Sequence, residues 1–117
     1  ECRSLGRAAT DNTPVSGGQE DHVSMSAGAA MHARTAVENA ATVVGVELLC
    51  GAQAVEYVDD DLSPGAGTGA AVDAVREVAP ALDEDRQLSP EMDDAGTLVR
   101  AGLLAESVRD AVDGELA

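Results

Sequence analysis

Residues 21–58 read DHVSMSAGAAMHARTAVENAATVVGVELLCGAQAVEYV, and their periodicity decides the fold class. Val23, Ala30, Val37, Val44, Gly51 and Val58 recur every seven residues. Ala27, Arg34, Ala41, Leu48 and Val55 form the interleaved series. This is an a/d heptad pattern interrupted only by Arg34, and it predicts one long helix. At 1.5 Å per residue that helix would be about 55 Å long, more than a small domain spans. Gly28, Gly45 and Gly51 each cost roughly 1 kcal/mol against Ala inside it, so the pattern implies close helix contacts. A bundle, shared with other chains or segments, is the expected setting.

Downstream, Asp59-Asp60-Asp61 closes the long helix and Leu62-Ser63-Pro64-Gly65 is a turn. A second helix is expected over Thr68 to Val78, stopping before Pro80. Ser89-Pro90-Glu91 reads as a helix start with Ser at the cap and Pro first inside. That third helix runs to Ala101, and Gly102 separates it from a last one, Leu103 to Val112. No strand is expected. The class is all-α, a long central bundle helix followed by shorter helices. Upstream, residues 1–18 read as loop, with a helical turn around Ser4 to Ala9 and extended backbone before Pro14. Three parts follow: 1–18 a leading loop, 19–58 a polar segment and the long helix, and 59–117 the shorter helices. The opening Glu1-Cys2-Arg3 gives the expectation of a fragment.

Composition narrows the function. The chain has 22 acidic side chains against seven basic ones, a net charge of −15, and every basic side chain is Arg. Such a surface repels phosphate backbones, which argues against nucleic-acid binding. Disorder needs low hydrophobicity beside the charge, whereas 44% of these residues are hydrophobic. A folded protein adapted to concentrated salt, from a halophilic microbe, is the expectation. The apolar set is mostly Ala, Val and Leu, with no Phe, no Trp and one Tyr, so each contact buries little area. No run approaches the ~20 apolar residues of a membrane span, and no membrane partner is expected. Cys2 and Cys50 lack C-x-x-C spacing, so a reducing, cytoplasmic setting suffices.

The chemistry concentrates at Ser16-Gly17-Gly18-Gln19-Glu20-Asp21-His22, a flexible turn running into titratable groups. On residues alone this is either a general acid/base cluster tuned by a helix terminus or a capping cluster, with Asp21 as the cap. Other candidates read as structural. Gly65-Ala66-Gly67-Thr68-Gly69 lacks the Lys and the preceding strand of a phosphate loop and reads as flexible loop. His22 and His32 are expected on different helix faces, so no metal site is expected. Arg34 suggests a buried ion pair or inter-helix contact, and Tyr57 a packing residue at the helix end. The three aspartates lack calcium-loop spacing.

Gln19-Glu20-Asp21-His22-Val23-Ser24-Met25, then Val37-Glu38-Asn39 and Val46-Glu47-Leu48-Leu49-Cys50-Gly51-Ala52-Gln53-Ala54, resembles the C-terminal third of the histidine ammonia-lyase family. Leu62-Ser63-Pro64-Gly65 and Leu82-Asp83-Glu84-Asp85-Arg86 resemble its later segments. The resemblance runs from about Pro14 to the end. Phenylalanine and tyrosine enzymes of the wider group usually carry Asn-Gln-Asp here, so Glu20 favours histidine. The resemblance implies the C-terminal part of a fumarase/aspartase-like helical bundle, a homotetramer with shared active sites, and elimination of ammonia from L-histidine to give trans-urocanate. It implies Glu20 as catalytic and substrate-binding residue, with Gln19 positioning it. It also implies an electrophile, 4-methylidene-imidazol-5-one (MIO), made from an Ala-Ser-Gly expected upstream together with the tyrosine general base. Family members usually have Ala-Asn where this chain has Gly17-Gly18. The alternatives are a lyase or aminomutase for another aromatic amino acid, or a non-catalytic helical oligomerisation module.

Overall fold

Four helices carry the described chain, which in this computed structural model comprises residues 14–58 and 61–112. They are α1 (Ser26–Val55), α2 (Ala66–Val78), α3 (Ser89–Ala101) and α4 (Leu103–Val112), preceded by a 3-10 turn at Ser16–Gly18. Among the described residues the extended pairing is an isolated antiparallel bridge between Val15 and Glu20. The all-α expectation holds. The expected turn at Ser4 to Ala9, Cys2, Asp59 and Asp60 lie outside the described residues.

Local chemistry explains most boundaries. Pro90 sits in the first turn of α3 with Glu91, and Arg100 sits in the last, so both ends complement the helix dipole. Gly102, at φ 74°, takes the left-handed cap and donates its N–H to the Val99 carbonyl, and α4 restarts at once. Ser89 lies inside the helix instead of capping it, because Leu88 holds the cap position and no side chain caps there. α2 ends where expected: Ala79, before Pro80, is extended at φ −144°, ψ 104°. It starts at Ala66, so the glycine-rich run forms the first helical turn and is not a loop. α1 starts at Ser26, later than Asp21. The Ser24 hydroxyl accepts the Ser26 N–H at 3.4 Å, satisfying one of the helix's unpaired first donors. At its other end α1 stops at Val55, and Tyr57 and Val58 continue as a turn bonded to the Ala54 and Val55 carbonyls.

The chain divides into two compact units, Glu1–Ala40 and Ala41–Ala117. In the second, Ala52, Val75 and Leu98 form the centre of the core, one each from α1, α2 and α3. Leu48, Leu49, Val72, Val78 and Leu104 pack around them. With no aromatic residue in this core, tight packing depends on backbones approaching closely. Gly45 supplies that approach: a Cβ built there would lie 2.7 Å from the Gly96 amide nitrogen of α3. Of the three α1 glycines singled out by sequence, Gly45 makes such a contact, while Gly28 and Gly51 are exposed.

The heptad reading needs correction on which face is covered. Ala41, Gly45 and Ala52 are buried in α1, with Leu48 and Val55 half-buried. The other series stays open: Val37, Val44 and Val58 are 65%, 39% and 49% exposed. Small side chains at 41, 45 and 52 let another helix come close, which a valine row does not. Tyr57 is 79% exposed and is not a packing residue in this chain.

In the first unit, the α1 residues from Ser26 to Ala40 are exposed except for half-buried His32. Arg34 is on the surface, its Nε donating to Glu38 Oε1 at 2.9 Å one turn on. That pair replaces the expected buried contact. The Glu38 carboxylate, by hydrogen bond and then by charge, raises the Arg34 guanidinium above its already high ordinary value.

Candidate active-site turn

The turn from Val15 to Glu20 is closed by its own backbone. The Val15 N–H donates to the Glu20 carbonyl at 3.1 Å and the Glu20 N–H returns to the Val15 carbonyl at 3.3 Å. Inside this clasp, the Gly18 N–H also donates to the Val15 carbonyl and the Gln19 N–H to the Ser16 carbonyl. Three consecutive residues have positive φ: Ser16 at 55°, Gly17 at 67° and Gly18 at 88°. A Cβ at either glycine would meet nothing within 4 Å, so backbone conformation alone demands glycine there. Glycine at 17 and 18 therefore has a physical reason in this chain. Side chains at those two places would both enter a region that L residues avoid.

Ser16 does enter it, at a cost of order 1–3 kcal/mol, and such local strain persists where surrounding contacts hold it. Here the Val15–Glu20 clasp does so. The result is that Gln19 and Glu20 leave the turn adjacent and exposed. Among the described residues, no hydrogen bond or ion pair engages either side chain. A carboxylate and an amide held on a backbone clasp can accept from and donate to a ligand without first breaking internal bonds.

Asp21 and His22 follow as exposed, non-helical residues ahead of α1. Asp21 thus does not cap α1, and this removes the capping account of the cluster. His22 precedes the helix while His32 lies within it, so the two do not share a helix face. Among the described residues no group of three His, Cys, Asp or Glu side chains is placed to hold a metal ion. No described helix is long and apolar enough to cross a membrane. Sequence reasoning singled out Gln19 and Glu20, which the structure places exposed beside the turn, and missed the left-handed Ser16. Its signal was Ser directly before Gly-Gly.

Residues 1–77 match the family model for aromatic amino acid lyases. The chain belongs to that family. Among its curated relatives, "Probable histidine ammonia-lyase" of Halobacterium salinarum is 60% identical over 117 residues, all of this chain and 22% of the relative. Histidine ammonia-lyase of Symbiobacterium thermophilum is 44% identical over 110 residues, 93% of this chain and 21% of the relative. That of Gloeobacter violaceus is 38% identical over 104 residues, 89% of this chain and 20% of the relative. The chain thus spans about a fifth of the length of the curated relatives it matches. No solved structure matches it.

Proposed function

We propose that this chain is the C-terminal, all-helical part of a histidine ammonia-lyase that converts L-histidine to trans-urocanate and ammonia. The observation that carries the reading is 60% identity over all 117 residues to a halobacterial relative named "Probable histidine ammonia-lyase". The clasped turn supports it by presenting Gln19 and Glu20, the two residues the family pattern marks for substrate contact.

In this reading the Glu20 carboxylate faces the substrate and either accepts a hydrogen bond from its imidazole or takes part in proton handling near its amino group. The Gln19 amide fixes the carboxylate's approach. The family's electrophile, when formed, makes the amino group a better leaving group. No Ala-Ser-Gly occurs among these 117 residues, so this chain's residues do not supply that group. The chain's own contribution is binding and proton placement. By itself it is inactive.

The exposed valine row of α1 fits a helix shared with other subunits, and a homotetramer with joint active sites belongs to the proposal. So do the division at 1–18, 19–58 and 59–117, a cytoplasmic location and a halophilic source, the last supported by the Arg-only, strongly acidic composition.

The test uses the complete lyase. Glu20→Gln should cut urocanate formation from L-histidine by at least about a hundredfold, the range seen for loss of a positioned acid/base group, with the tetramer intact by light scattering. Near-normal turnover would remove Glu20 from the site. Preference for phenylalanine or tyrosine would instead favour another aromatic amino acid lyase.

A further inference from the structure

An open groove of about 350 Å³ lies within the second unit, between the C-terminal part of α1 and the segment joining α2 to α3. Its apolar surface comes from Val46, Leu49, Ala54, Leu82, Leu88 and Met92, with Cys50 and Tyr57 also lining it. The Gln53, Arg76, Arg86 and Glu91 side chains beside it are spent on internal bonds. The Gln53 carbonyl accepts the Leu82 N–H at 2.9 Å and an Arg76 N–H at 3.4 Å. Arg76 Nε donates to Glu56 at 2.6 Å and its Nη1 to the Ala79 carbonyl. Arg86 donates to Glu91 and to the Pro80 and Ala81 carbonyls.

These bonds decide what the groove can hold. A small-ligand site needs a few convergent polar groups to fix orientation, and here those groups already have partners. What remains is a furrow for apolar side chains, the form a docking anchor fills. Charge does not choose the occupant, because concentrated salt screens the −15 that a second copy would bring. The relatives instead carry about four fifths of their length outside the matched stretch, and the match spans every residue lining the groove.

We propose that this groove receives an apolar segment of the lyase polypeptide that lies outside these 117 residues, which seals Cys50 and Tyr57 from water. The inference rests on the lyase reading above.

Thiol labelling in a Cys2→Ser background tests it, with the Cys50 peptide followed by mass spectrometry. The complete lyase that contains this chain is compared with the chain alone, both in concentrated salt. The expected result is Cys50 labelling slowed about tenfold or more in the complete lyase. Ala54→Arg, at an exposed position that keeps helical circular dichroism, should return Cys50 labelling in the complete lyase toward the free rate. Cys50 labelled in an active complete lyase at its free rate overturns the groove assignment and leaves the lyase reading standing. A complete, folded protein that forms no urocanate from L-histidine overturns the lyase reading, whatever the labelling. Protection of Cys50 in the chain alone, rising with concentration and mass, assigns the groove to a second copy and overturns the proposal.

Discussion

Adding one methyl group at Gly45 should cost this chain more than any other single-carbon change in α1. A Cβ there would lie 2.7 Å from the Gly96 nitrogen, 3.0 Å from the Ala95 carbonyl carbon and 3.1 Å from the Gly96 Cα. All three are backbone atoms of α3, so no rotamer change relieves the clash and the helices must move apart. Overpacking of this kind costs about 1–3 kcal/mol, and the roughly 1 kcal/mol gained in helix propensity offsets part of it. The 2.7 Å backbone contact puts Gly45→Ala at the upper end of that range, a net loss of about 2 kcal/mol. The reciprocal change is the control. At Gly96 the nearest atoms are Arg100 Nη1 at 3.4 Å, the end of a flexible side chain, then Thr42 Cα at 3.6 Å and the Ala41 carbonyl oxygen at 3.7 Å. These are near-ordinary contacts, so Gly96→Ala should be neutral or stabilising by up to about 1 kcal/mol. Thermal melts followed by circular dichroism in concentrated salt read the difference, at about 3–6 °C per kcal/mol for a domain of this size. A Gly45→Ala variant as stable as the parent, or less affected than Gly96→Ala, would refute the close crossing of α1 and α3.

Other outcomes follow from the polar contacts and the charge. Gln53→Ala leaves the half-buried Leu82 N–H without its side-chain acceptor, which should cost about 1–3 kcal/mol and speed amide exchange at Leu82. Gln53→Glu keeps an acceptor and should retain most of that protection. Arg34→Ala removes an exposed pair between neighbouring turns of one helix and should leave the melting temperature unchanged. The raised Arg34 value adds stability only below its ordinary titration point and loses it only at pH above the raised one, so it adds no slope near neutrality. Dilution from concentrated to low salt should unfold the chain as its −15 charge loses screening. A melt insensitive to salt would remove the halophilic reading.

Residue chemistry alone set the all-α class, the C-terminal end of α2, the start of α3 at Pro90 to within a residue and the break between α3 and α4, because those are local matters. Ala79 before Pro80, Pro90 with Glu91, and Gly102 each act within a turn or two of where they stand. Gln19 and Glu20 were proposed on a different ground, because their residue types and order carry the family pattern, and their role rests on that pattern. Tertiary structure decided the face of α1. Seven-residue spacing identifies two apolar series but cannot say which one this chain covers, since that depends on how closely another backbone can approach. Gly45 against Gly96 settles it: Ala41, Leu48 and Val55 of one series turn inward together with Gly45 and Ala52, which belong to neither, and Val37, Val44 and Val58 stay in the open. The groove beside Cys50 was equally out of reach of the sequence. It exists only because Gln53 and Arg86 pin the segment between α2 and α3, contacts between residues up to 29 apart in the chain.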